Sequence, residues 1–386
     1  MTRKIKVLQL QVRYNPNSTS DLSEQIIRAL PKEKYEVTTA FLTGQPGPDD
    51  VKSQAEHSVF FDLSKKETKH HSFRPLQKLY NLCLEEKYDV VIAHRFKPIK
   101  MIMLLNKCLK IPLCIGIIHA FGEFDNFFRR FRFRHLIDPS WRFVGVSPAV
   151  TQYLIDCNCG FNRKNTITIA NAIDVIKIKK LQLPRTKARL QLGLNPRARI
   201  IGTIGRLVHT KGHQYLLQAF AQIKDKYPEV QLSIIGAGPE EKNLKSEIKK
   251  LGLEGRAHLL GYHKNAVQYV RGFDIWTMPS LSEAFGIALL EGMIGELPVI
   301  VSDVPGMSQL AKEAGGIVVD PANIDALINA LDKYLILTES ELKNKGKQAY
   351  QYVEANHNIN VFRHNYLKLI EESLSESQHP FYPNNP

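Results

Sequence analysis

Residues 274–306, DIWTMPSLSEAFGIALLEGMIGELPVIVSDVPG, place two short apolar runs, 275–278 and 299–301, on either side of a segment with helical spacing at 286–294. Continuous apolar runs of this length read as strands buried on both faces, and a helix between two of them makes a parallel crossover. The same alternation extends outward. The second half predicts further strands at 199–204, 231–235, 257–260 and 316–319, with helices at 212–223, 240–251, 266–272 and 324–334. The first half predicts strands at 5–10, 35–42, 58–63, 89–93, 113–118, 143–146 and 166–169, with helical patterns at 21–30, 75–86 and 99–109. Two such series in succession predict an α/β chain of two doubly wound, Rossmann-like domains. The rhythm lapses over 171–196, where Pro184 and six Lys or Arg between 177 and 189 mark a seam. Beyond 322 the chain reads as helical to about 374, then ends in the polar tail QHPFYPNNP.

Composition narrows the class. With 386 residues, 44% hydrophobic and 23% charged, the chain suits two or three ordinary globular domains. Its most apolar region, 99–122, is interrupted by Lys100, Lys107 and Lys110, which argues against a membrane span. The start, MTRKIKVLQLQV, alternates like a strand and lacks the apolar core of a signal peptide. Five cysteines, with Cys157-x-Cys159 as an isolated pair, make neither a disulfide framework nor a zinc site, so a reduced, cytoplasmic setting is expected. Residues 1–183 hold 29 of the 52 Lys and Arg but 17 of the 38 Asp and Glu, net +12, against +2 for the remainder. That asymmetry points the first half at something anionic.

Ligands of open parallel sheets bind beyond the carboxyl ends of the strands. After the strand at 199–204 comes Gly205-Arg206-Leu-Val-His-Thr-Lys211-Gly212, leading into a helix. A glycine for a tight turn, two cations and a helix N-terminus suit a diphosphate, although two solvated basic residues on a loop have the same pattern. After the strand at 275–278 come Glu283, Gly286 and Glu291. Gly286 leaves room for a ligand against the backbone, and ionised carboxylates accept hydrogen bonds from sugar hydroxyls. A carboxylate facing the helix dipole and a paired acid are the alternatives for Glu283 and Glu291. There is no G-x-x-x-x-G-K-[ST], and Gly236-Ala-Gly238-Pro-Glu-Glu lacks the third glycine of a dinucleotide fingerprint. The absence of Asp-x-Asp removes the simplest clamp for a divalent metal.

Together with GTIGRLVHTKGHQYLLQAF (202–220), LSIIGAGPEEKNL (232–244), HLLGYHKN (258–265), VGVSPAV (144–150) and ANAID (170–174), the opening stretch resembles glycosyltransferase family 4. The resemblance implies the GT-B architecture: two facing Rossmann-like domains, 1–170 on the acceptor side and 171–355 for the donor, with 356–386 returning as a helix and tail to the first. It implies catalysis between the domains and a retaining transfer from a nucleotide-diphosphate sugar, a UDP-sugar, with no metal cofactor. By that resemblance Arg206 and Lys211 bind the donor diphosphate, Glu291 the ribose hydroxyls and Glu283 the donor sugar. Gly205 belongs to the same loop. Ala284, Phe285, Gly286 and Ile287 line the sugar and distal phosphate; Gly236, Gly238, Gly261 and Tyr262 border the base. It also implies a glycan or lipid-linked acceptor in cell-surface polysaccharide or lipopolysaccharide assembly, with the protein peripheral on the cytoplasmic face of the inner membrane.

The first half departs from the family pattern. Where a glycine-rich loop is usual, the chain has Arg13, Asn15 and Ser18 among polar residues. His119, at a strand end, matches a histidine of the family's active site and is assigned to orienting donor or acceptor; a structural histidine is the alternative. His94, at another strand end, is an acceptor-side candidate. Residues 127–143 interleave five Arg with five Phe and one Trp. Such a segment suits an anionic membrane surface, a nucleic acid or a core-facing aromatic helix; for a glycosyltransferase the membrane is expected and nucleic acid is not. An epimerase or phosphorylase of the same architecture, and a basic nucleic-acid-binding protein, are the competing functions.

Overall fold

Among the residues described by the computed structural model, 3–14, 22–48, 50–64, 67 and 73–378, the apolar runs form thirteen strands. The first seven are β1 (Ile5–Arg13), β2 (Tyr35–Thr43), β3 (His57–Phe60), β4 (Val90–His94), β5 (Leu113–Ile118), β6 (Trp141–Gly145) and β7 (Thr166–Thr168). They make one sheet in the order β3-β2-β1-β4-β5-β6-β7. The remaining six are β8 (Arg199–Ile204), β9 (Val230–Ile235), β10 (Ala257–Leu259), β11 (Ile275–Met278), β12 (Val299–Ser302) and β13 (Ile317–Val319), in the order β10-β9-β8-β11-β12-β13. Every strand pair is parallel. Helices on both faces leave no wet side, which is why β4 (VVIAH) and β5 (LCIGII) are buried along their whole length.

Both sheets obey one rule. The first strand is central, the next two run to one side, and the chain then crosses back to the other. The order reverses between β1 and β4 and again between β8 and β11. At such a reversal neighbouring connections leave in opposite directions and open a crevice at the strand carboxyl ends.

The chain divides into two compact units, Met1–Asn171 with Asn360–Pro386, and Ala172–Ile359. The second division falls at 359/360 rather than 355 because the helix Glu339–Asn356 belongs wholly to the second unit, and a new helix, Ile359–Gln378, follows at once. Phe362, Tyr366, Leu369 and Ile370 of that helix form a buried stripe at helical spacing. Lys34 pairs with Glu371 at 2.5 Å and Arg142 with Glu376 at 2.7 Å, fixing it to the first unit. In the second unit the buried Arg189 donates to the carbonyls of Gly272, Pro196 and Ala198 and pairs with Asp274 at 2.6 Å. Asp274 in turn accepts the Ile200 N–H, which ties β8 to the start of β11.

Two local expectations change. Residues 266–272 turn as a 3-10 helix. Val267 and Val270, three apart, are its buried contacts, and three residues per turn stack them on one side. Residues 127–143 are not one surface. The helix Phe127–Leu136 is followed by β6, whose Trp141 and Phe143 are fully buried. No helix among the described residues is long and apolar enough to cross a membrane.

Candidate functional site

In the second unit the loops after β8 and β11 meet at the reversal point. Leu281 N–H donates to the Thr210 carbonyl at 2.8 Å, and Gly212 turns the first loop with φ +66°. A Cβ at 212 would strike the Pro279 carbonyl, so glycine there satisfies both the backbone angle and the loop contact. The expected turn at Gly205 is absent: its φ is not positive, and a Cβ there would meet nothing nearer than 3.9 Å. The chain turns at Gly212, while the Gly205 N–H continues the sheet by donating to the Ile235 carbonyl at 3.0 Å.

This stitching brings two of the expected residues into direct contact. The Lys211 ammonium donates to a Glu283 carboxylate oxygen, although 72 residues separate them. Each side chain is about one-fifth exposed. Arg206 is exposed, and among the described residues its guanidinium has no partner. Behind it His213 is buried, with Nε2 3.2 Å from the Arg206 carbonyl. A carbonyl only accepts, so Nε2 carries the proton; burial lowers the imidazolium value to about 4 and keeps the ring neutral. Sequence reading passed over this histidine, which holds the cation loop by its backbone.

Glu291 lies one turn inside the helix Ile287–Ile294, partly buried among apolar neighbours. Burial pushes its carboxyl up to about 7, and no side chain among the described residues bonds to it. Phe285 is buried edge-on against His357 at 5.6 Å. Gly286 has φ +78°, and a Cβ there would come within 2.8 Å of Met307, so the fold by itself already favours glycine at this position. Gly236 and Gly238 are similar, each pressed on a backbone carbonyl, of Gly205 and of Leu207. Gly236 N–H donates to the Gly261 carbonyl at 2.9 Å, which joins those two loops beside exposed Tyr262. Ala284 and Ile287, on either side of Phe285 and Gly286 in the chain, are partly exposed.

In the first unit His94 ends β4, and His119 follows the adjacent β5. Their rings stack at 5.4 Å, with His94 Nδ1 3.1 Å from His119 Nε2. One nitrogen donates and the other accepts; burial lowers His119 to about 4 and holds His94 well below its ordinary value, which keeps both rings neutral. His94 Nε2 is buried without a partner among the described residues. Arg95, next in the chain, has φ 70° and ψ 164°, a region nearly reserved for glycine and costing about 1–3 kcal/mol. Its N–H donates to the Ile117 carbonyl at 2.9 Å, so pairing of the β4 end with β5 holds that angle. No sequence signal marks it. Glu123, also missed, accepts the Phe96 N–H at 3.1 Å, and burial raises its carboxyl. Arg13 is exposed at the end of β1; Asn15 and Ser18 lie outside the described residues.

The second unit therefore offers an exposed guanidinium, an ammonium–carboxylate pair and a partly buried acid around one pair of strand ends. The first offers two neutral imidazoles and a cation. Cations at helix-leading loops hold phosphates, and carboxylates hold hydroxyls.

Comparison with known proteins bears on the same segments. Over 373 residues the chain is 24% identical to the UDP-Gal:alpha-D-GlcNAc-diphosphoundecaprenol alpha-1,3-galactosyltransferase of Escherichia coli, covering 91% of this chain and 94% of that one. With the lipopolysaccharide core biosynthesis mannosyltransferase LpsB of Rhizobium meliloti the identity is 29% over 181 residues, spanning 44% of this chain and half of the relative. Among solved structures, sucrose-phosphate synthase from Thermosynechococcus elongatus superposes with a TM-score of 0.79 at 20% identity, covering 96% of this chain and 100% of that one. Anabaena Alr3699/HepE, solved in complex with UDP, gives 0.78 at 18% identity over 96% of this chain and 100% of its own. The fold is that of the GT-B enzymes. The model described as Glycosyltransferase Family 4 matches residues 23–177, and that described as Glycosyl transferases group 1 matches residues 184–352. With both halves matched in order, the chain belongs to the glycosyltransferases, a family 4 domain followed by a group 1 domain.

Proposed function

We propose that this enzyme is a retaining glycosyltransferase that moves a sugar from a UDP-sugar to a lipid-linked glycan acceptor in cell-surface polysaccharide assembly. The observation that carries the reading is the convergence of Arg206, Lys211, Glu283 and Glu291 on the reversal point between β8 and β11. Anabaena Alr3699/HepE was solved with UDP-glucose, and the Escherichia coli relative is named for a UDP-sugar donor and a lipid diphosphate acceptor, which supports the choice of both.

In this reading Arg206 meets the donor diphosphate as it stands. Lys211 joins it when Glu283 turns from the ammonium to the hydroxyls of the sugar. Glu291, ionised, accepts from the ribose hydroxyls, while Phe285, Gly286 and Ile287 present backbone to the sugar, and Gly236, Gly238, Gly261 and Tyr262 border the base. The acceptor hydroxyl oxygen bonds to the anomeric carbon on the face from which the diphosphate leaves. The C–O bond to phosphate breaks, and the departing phosphate oxygen takes the hydroxyl proton. Two protein cations stabilise the charge that develops on it, so no metal is required. Neutral His119, held by His94, orients donor or acceptor; Arg13, Asn15 and Ser18 serve the acceptor side. The enzyme works from the cytoplasm, against the membrane that carries its acceptor.

A thermal-shift panel of UDP-, GDP- and ADP-sugars, with and without chelator, tests this, since a ligand that binds only the folded state raises its apparent stability. A UDP-sugar should stabilise the protein equally in both conditions. Stabilisation by none of them, or only after added magnesium or manganese, would overturn the reading.

A further inference from the structure

The outer face of the helix Phe127–Leu136 has no part in the chemistry above. Phe127, Phe128 and Phe131 are 73%, 75% and 58% exposed, while Phe133 is buried against Phe96, Phe124 and Phe161. At about 100° per residue the three exposed rings share an arc of roughly 100°, with Arg132 on one flank and Arg134 on the other. Arg129 and Arg130 are occupied elsewhere. The first donates to the Glu123 carbonyl and stacks on Phe96 at 4.6 Å; the second donates to the Phe124 carbonyl at 2.6 Å. The neighbouring helix Phe96–Leu109 adds Lys97 and Lys100, both partly buried. Burial and the charges of Arg132 and Arg129 push the Lys100 ammonium below its ordinary value. Among the described residues no carboxylate pairs with Lys97, Lys100, Arg132 or Arg134.

A stripe of exposed rings, in which His135 stands edge-on to Phe131 at 4.6 Å, between unpaired cations fits a partner that offers hydrocarbon and negative charge together. Phe127 and Phe128 stand edge to face with centroids 6.0 Å apart, which leaves no slot for a nucleobase between them. An acidic protein face would answer the cations but leave the rings without an apolar partner. A bilayer of anionic lipid answers both, with rings at the interface and cations on headgroup phosphates.

We infer that the helix Phe127–Leu136 is a membrane-docking element, in which Phe127, Phe128 and Phe131 enter an anionic bilayer while Arg132, Arg134, Lys97 and Lys100 meet its phosphates. The inference rests on the proposed lipid-linked acceptor for its purpose but not for its geometry. It narrows the docking surface to one helix face and its neighbour, and excludes Arg130 and the buried Trp141 and Phe143.

The full chain is floated with vesicles of phosphatidylcholine alone, and of phosphatidylcholine with one-third phosphatidylglycerol, at low and high salt. Binding should require the anionic lipid and weaken as salt screens it. The triple variant Phe127→Ser, Phe128→Ser, Phe131→Ser should lower partitioning by at least about tenfold. The pair Arg132→Ser, Arg134→Ser should lower it by about twenty-five-fold, near fivefold for each cation at a charged surface. Both variants alter exposed side chains and should keep the wild-type thermal shift with a UDP-sugar. Vesicle binding without any nucleotide-sugar binding would sink the proposed function and leave docking intact. Wild-type protein that ignores anionic vesicles at low salt overturns the inference, as does a triple variant that binds like wild type. So does a solution dimer that the triple variant abolishes, or retention by a single-stranded oligonucleotide in place of vesicles.

Discussion

Glu291→Gln replaces a carboxyl that burial has pushed from 4.5 up to about 7. Because the folded value lies above the unfolded one, the folded state holds the proton more tightly. The stabilisation is complete below about 4.5 and is lost as pH rises through about 7. Above that, ionising the group in place costs up to roughly 3 kcal/mol, and a neutral amide avoids the cost. The variant should therefore unfold later than wild type at pH 8, by about 1–3 kcal/mol in urea titration. Donor affinity should move the other way. If ribose hydroxyls donate to the ionised carboxylate, the competent fraction is about nine-tenths at pH 8 and one-tenth at pH 6, so wild-type binding weakens about ninefold between them. The variant, without a charged acceptor, should bind at least about tenfold more weakly than wild type at pH 8 and show no slope. Isothermal titration with an intact UDP-sugar and no acceptor reads this directly, because the donor's diester phosphates hold their charge across the window. An affinity flat with pH in wild type, or the same slope in both proteins, would refute the assignment of Glu291. So would a variant less stable than wild type at pH 8, for then the carboxylate is held by partners rather than merely buried.

Arg206→Ala should leave stability within about 0.5 kcal/mol, since the side chain is exposed and unpartnered among the described residues, yet lower turnover by about 10²–10³. Turnover within threefold of wild type in a folded variant would remove it from the phosphate site. Gly212→Ala should destabilise by more than about 2 kcal/mol, through both its φ of +66° and the Pro279 carbonyl in its way; a melting temperature unchanged by the substitution would contradict the loop packing. His213 has a folded value near 4, below its unfolded 6.5, so its contribution is present above pH 6.5 and fades as pH falls toward 4. Between pH 6.5 and 4.5 wild type should lose roughly 2 kcal/mol more than His213→Gln in denaturant titrations, and equal losses would show that this ring does not titrate with folding.

The sheets were readable because buried parallel strands carry little but aliphatic residues. LCIGII and RIIGTI stand out from any neighbour, and β5 and β8 start and stop where the apolar runs do. Reading was harder where one stretch served two elements. The Arg–Phe alternation of 127–143 conceals the point at which an exposed helix gives way to a core strand, because aromatic residues suit both. Site residues could be named at strand ends, but not their pairing. Lys211 finds Glu283, and His94 finds His119, only because β8 lies next to β11 and β4 next to β5, an order set by long-range packing. The strained angle at Arg95 left no trace at all, since arginine is not a residue that local rules associate with positive φ. Glycines legible as a ligand pattern also have a packing role that spacing alone does not reveal, as Gly236 and Gly238 do against the Gly205 and Leu207 carbonyls.

The helix Ile359–Gln378 has a consequence for how the protein is made. The first unit needs this helix to bury Phe362, Tyr366 and Ile370 and to supply partners for Lys34 and Arg142. A ribosome working at about 5–20 residues per second delivers residue 171 well before residue 378, and the entire second unit emerges in between. During those seconds the nascent first unit has its strands but not its closing helix, and the second unit can complete itself sooner although it starts later. The native order of completion thus reverses the order of translation. A stop codon between positions 360 and 370 would leave the second unit whole and the first without its closing helix, a state for holding chaperones to recognise.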